Sequence, residues 1–80
     1  MKIAGNIPHP KMTITVFIMN EKFIVKFEAG PMEQVYKLSQ GKIRGMEHVQ
    51  QIVDAQFQEE VLKKFGEMFE SMRSSLERHV

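Results

Sequence analysis

Eighty residues with 42% hydrophobic content, six Phe and no Cys fit one globular domain of residues 1–80, and they exclude both disulfide staples and a Cys-ligated zinc site. A formal net charge of +1 selects no partner by itself. The longest apolar run, Val16-Phe17-Ile18-Met19, is far too short to cross a bilayer. A domain this small needs either one well-packed core or a partner subunit. Absence of Cys, and of an apolar stretch of signal-peptide length before Pro8, fits a cytoplasmic protein.

Residues 1–10 show no periodicity and carry Pro8 and Pro10, so they read as an extended lead-in. A β-meander over residues 11–38 follows. Met12, Ile14, Val16 and Ile18 alternate with Thr13, Thr15 and Phe17, and the alternation resumes as Phe23, Val25 and Phe27 against Ile24, Lys26 and Glu28. Period-two patterning in β-branched and aromatic residues marks two strands. A two-residue loop at Asn20-Glu21 sets Ile18 opposite Phe23, Val16 opposite Val25 and Ile14 opposite Phe27, all on one face. The other face then pairs Phe17 with Ile24, Thr15 with Lys26 and Thr13 with Glu28. A slip of one residue would turn one strand's apolar set over. Ala29-Gly30-Pro31-Met32 is a second turn, with Pro expected at its second position. Glu33–Leu38 forms the third strand, with Tyr36 and Leu38 on the core face and Val35 on the other.

Helical structure occupies residues 46–78. Phe57, Val61, Leu62, Phe65, Met68, Phe69, Met72 and Leu76 share one arc of a helical wheel, whereas Met46, Val49, Ile52 and Val53 fall on the far side. The opposed phases predict a break near Asp54–Gln56, with a short helix before it and a long one after it, Asp54 serving as N-cap. Phe65 and Phe69, at mid-stripe, are expected to lie deepest. The fold class is therefore α+β: a three-stranded antiparallel meander, a short helix, and a long amphipathic C-terminal helix packed on one sheet face.

No constellation of side chains points to chemistry. His9, His48 and His79 lie in different elements without ligand spacing. Glu59 and Glu60 point apart on a helix, and Ser39, Ser71, Ser74 and Ser75 sit in no nucleophile-elbow context. Gly41-Lys42-Ile43-Arg44-Gly45 is basic and Gly-flanked but lacks P-loop spacing. The expectation is a non-enzymatic chain without cofactor or metal.

The surface is more informative. Residues 1–45 carry seven Lys/Arg against three acids, and residues 46–80 carry four against seven, so the sheet half is basic and the helical half acidic. One helix covers one sheet face. That leaves Phe17, Ile24 and Val35 beside Lys26 and Lys37 on the other, unless the short helix lies over them. The first meander strand also has nothing in the sequence to block its edge. These features favour an interaction module that self-associates as a homodimer, with room for an unidentified protein partner and no role at a membrane. The alternative is weak nucleic-acid binding by the basic sheet half, through Lys22, Lys26, Lys37, Lys42 and Arg44.

Overall fold

Alternation at period two builds the sheet. The computed structural model describes residues 2–80. It contains four strands, β1 (Lys2–Ile7), β2 (Thr13–Met19), β3 (Lys22–Ala29) and β4 (Met32–Ser39), then a 3-10 turn at Gln40–Lys42 and two helices, α1 (Met46–Ile52) and α2 (Ala55–His79). The strands form one antiparallel sheet in the order β1-β2-β3-β4.

The β2–β3 register follows the sequence pattern pair for pair, from Met19 opposite Lys22 to Thr13 opposite Glu28. Asn20 and Glu21 close that hairpin with φ of 48° and 61°. Two successive left-handed residues make the turn whose twist matches the strands. In the β3–β4 hairpin, Gly30 rather than Pro31 takes the second turn position, with φ of 58°. Proline cannot adopt positive φ, so glycine must occupy that place.

The expected three-stranded meander is in fact four-stranded. Within the supposed lead-in, of which Met1 lies outside the described residues, Lys2–Ile7 pairs with β2. Its pattern was hidden by an irregularity. The register shifts between Ile3 and Gly5, so Ile3 faces Phe17 on one side of the sheet while Gly5 and Ile7 face Val16 and Ile14 on the other. An extra residue at Ala4 breaks the period that alternation depends on. Pro8 and Pro10 follow the strand and take no part in it. Gly5 packs closely under α1: a Cβ there would sit 3.0 Å from Met46 Cε, at the flexible end of that side chain.

Both helices cover the same sheet face. Val49 and Val53 join Ile14, Val16, Val25, Phe27, Val61 and Phe65 in one buried cluster. The short helix therefore lies over the β1 end of the core rather than over Phe17 and Ile24. The break falls at Val53–Asp54, where the expected cap is present: the Asp54 carboxylate accepts a 2.8 Å hydrogen bond from the Phe57 N–H. Phe27, Tyr36 and Phe57 pack edge to face with centroids 5.3–5.7 Å apart, pinning the start of α2 to the sheet. Gln34 Nε2 donates to the Val61 carbonyl at 3.0 Å, and the Tyr36 hydroxyl donates to Gln34 Oε1 at 2.7 Å. This chain of bonds ties the edge strand to the helix above it.

Candidate interaction surface

Three features remain on the outside: the outer sheet face, the β4 edge, and the far end of α2. Antiparallel pairing assembles the outer face in rows. Ile3, Phe17, Ile24 and Lys37 lie side by side across the four strands, and Asn6, Thr15, Lys26 and Val35 form the next row. Phe17, Ile24, Lys26, Val35 and Lys37 thus share one face, which no other element of the described chain covers. They are unequally available. Ile24 is only 7% exposed although it stands outside the main core, because its sheet neighbours surround it. Phe17 is half-buried, whereas Val35 keeps 49% of its surface in solvent.

Charge on this face is graded. Glu28 and Glu33 stand directly opposite one another on β3 and β4, an unfavourable like-charge pair. The Lys26 ammonium lies 3.9 Å from the first carboxylate and 3.6 Å from the second. Such surface contacts contribute little individually. Lys37 makes no ion pair among the described residues. Lys22 and Lys26 flank Ile24 along β3 while Lys37 faces it, whereas Lys42 and Arg44 lie beyond the end of β4.

The two sheet edges differ. β1 covers the β2 edge that the sequence left open, and the new edge it creates is short and bulged. β4 runs eight residues without Pro or bulge. The two-residue turn closes on the pair Ala29–Met32, which in such hairpins exchanges backbone hydrogen bonds. Met32, Gln34, Tyr36 and Leu38 therefore direct their backbone groups to β3, and Glu33, Val35 and Lys37 direct theirs away from the sheet. No hydrogen bond among the described residues engages those outward groups.

The third feature is the end of α2. Its 25 residues extend about 37 Å at 1.5 Å per residue. Val61 and Phe65 are its buried positions. Phe69 meets the β3–β4 turn, its Cζ lying 3.4 Å from where a Gly30 Cβ would stand. From that point the stripe is only partly covered: Phe69 is 40%, Met72 51% and Leu76 55% exposed. This corrects the expectation that Phe69 is core. Met32 and Gln34 at the start of β4 and Met68 and Met72 on α2 line a groove where edge and helix meet. On the solvent side of the helix, Arg73 binds Glu70 and Glu77, whose carboxylates raise its guanidinium above the usual arginine range.

The histidines do not converge. His9 Nδ1 accepts from the Lys11 N–H, His48 Nδ1 accepts from the Arg44 N–H, and His79 ends α2. No group of three metal-ligating side chains occurs among the described residues, and no helix among them is long and apolar enough to cross a membrane.

Sequence reasoning found the outer face but missed the β4 edge and the overhang. The overhang had a signal: Leu62, Phe65, Phe69, Met72 and Leu76 recur at alternating spacings of three and four. That stripe is longer than one face of a small sheet can cover. Comparison with protein-family models, with curated proteins and with solved structures finds no match for the chain.

Proposed function

We propose that this chain is a small non-enzymatic protein-interaction module, cytoplasmic in setting, that self-associates as a homodimer. The observation that carries this reading is the apolar stripe of α2, which continues through Phe69, Met72 and Leu76 after the sheet has ended. Scattered exposed hydrophobes need no explanation, but a contiguous stripe joined to an apolar groove is the signature of an association surface. Each large apolar side chain removed from water contributes about 1.5–3 kcal/mol when fully buried, and a two-fold axis doubles every contribution. Among the described residues no group of three metal-ligating side chains competes with this reading.

Sedimentation velocity from low micromolar to near-millimolar protein tests it. The chain is expected to sediment as a dimer over the upper range. Met72→Glu combined with Leu76→Glu, both at exposed helix positions, should shift the equilibrium towards folded monomer. A wild-type chain that stays monomeric at every concentration would overturn the proposal.

A second reading is supported by one arrangement, the Lys22, Lys26 and Lys37 side chains around Ile24 next to Phe17. It is weak single-stranded nucleic-acid binding through phosphate contacts and one stacking ring. Fluorescence anisotropy with labelled strands tests it. Micromolar affinity near physiological salt, lost on Lys26→Glu with Lys37→Glu, would favour this reading over the first.

A further inference from the structure

The free edge of β4 carries enough information to define how a second copy would dock. We propose that two copies of this chain join β4 to β4, antiparallel, with Val35 facing the partner's Val35 across the two-fold axis. The proposal rests on the self-association reading and specifies its partner, strand and register.

Backbone geometry sets the first constraint. Glu33, Val35 and Lys37, with Ser39 at the strand's end, occupy the alternate positions that direct N–H and C=O groups outward, so the hydrogen-bonded pairs of any added strand are drawn from them. Centring on Val35 opposes Glu33 to the partner's Lys37 and Lys37 to the partner's Glu33. Three hydrogen-bonded pairs then exchange about six backbone bonds.

Charge sets the second constraint and distinguishes the registers. Shifting by two residues one way opposes Glu33 to the partner's Val35, and shifting the other way opposes Val35 to the partner's Lys37. Larger symmetric shifts set Glu33 against the partner's Glu33, or Lys37 against the partner's Lys37. The Val35-centred register alone matches opposite charges and apolar with apolar. It also resolves the local imbalance on the outer face. Glu28 and Glu33 share only Lys26, and the partner's Lys37 supplies the second cation. Lys37, without an ion pair among the described residues, acquires one. Edge charges commonly keep foreign strands away; here the same two charges are complementary to the chain's own copy.

The core side of the strand agrees. Opposite Met32 comes the partner's Leu38, and opposite Gln34 the partner's Tyr36. Met32 lies in the groove roofed by Met68 and Met72, so the partner's strand end enters beside the exposed beginning of the α2 stripe. Val35, half exposed in the single chain, becomes covered. The result is an eight-stranded sheet with the helices of both copies on one face.

Charge reversal tests the register. Lys37→Glu sets two acidic pairs across the axis in place of two attractive ones, and should weaken dimerisation by about tenfold or more. Adding Glu33→Lys restores opposite charges and should return the dissociation constant to within about threefold of wild type. Val35→Pro removes an N–H that serves no bond among the described residues, so it should abolish the dimer while leaving the monomer's circular dichroism unchanged. Sedimentation equilibrium at low salt reads all three. A wild-type dimer that Lys37→Glu does not weaken, or that the double variant does not rescue, overturns the edge register and leaves self-association standing through another surface. A wild-type monomer at every concentration overturns both.

Discussion

Replacing Phe65 and Phe69 by Ala, one at a time, separates core from overhang on a single helix stripe. The two rings are one turn apart and identical in chemistry, but Phe65 is 2% exposed and Phe69 40%. Phe65 lies inside the core cluster with Val61 and Phe27. Its truncation removes the transfer energy of the ring and leaves a cavity that the sheet and helix close only in part, a loss of about 3–5 kcal/mol. Phe69 rests one edge on Gly30 and leaves no enclosed cavity. Scaling the transfer energy of a buried ring by the covered fraction gives a loss of about 1–2 kcal/mol. Urea denaturation followed by circular dichroism, at concentrations low enough for the monomer, measures both. Equal losses for the two variants would refute the placement of the sheet boundary between them. If self-association covers the overhang, the Phe69→Ala loss should grow with protein concentration, because the wild-type ring is then buried by the partner.

The two hairpin turns give effects of opposite sign. Glu21→Gly relieves a side chain held at φ of 61° and should stabilise the monomer by about 1 kcal/mol, read from the same denaturation midpoint. Gly30→Ala forces a Cβ into φ of 58° and towards the Phe69 ring, so it should destabilise by about 1–2 kcal/mol; an unchanged midpoint would contradict the turn geometry. Asp54→Ala removes the cap that accepts from the Phe57 N–H and should cost about 1 kcal/mol, whereas Asp54→Asn should retain most of the stability.

Local patterning was enough for the meander's centre and for the helical break. Ile14 and Val16 on one strand and Phe23, Val25 and Phe27 on the next alternate cleanly, and a one-residue slip would turn one strand's apolar set outward, so the β2–β3 register is legible in the sequence alone. The opposed phases of Val49 and Phe65 on a single wheel, with Asp54 between them, likewise located the end of α1 and the start of α2. β1 was not legible, because a bulge at Ala4 erases the alternation that identifies a strand, and pairing to β2 is a long-range decision.

Tertiary structure decided the surface. The pattern placed Phe17, Ile24 and Val35 on one face, but how much of each reaches water depends on neighbours across three strands. Ile24 is nearly covered, and Val35, on the last strand, is not. The sequence could mark Phe65 and Phe69 as members of one stripe, yet only the length of the sheet beneath the helix makes one core and the other surface. By pairing with β2, β1 closed the edge that looked open, and the free edge moved to β4, where Glu33, Val35 and Lys37 face outward. Periodicity is a property of neighbours along the chain; exposure is set by whatever the folded chain brings above and beside each residue.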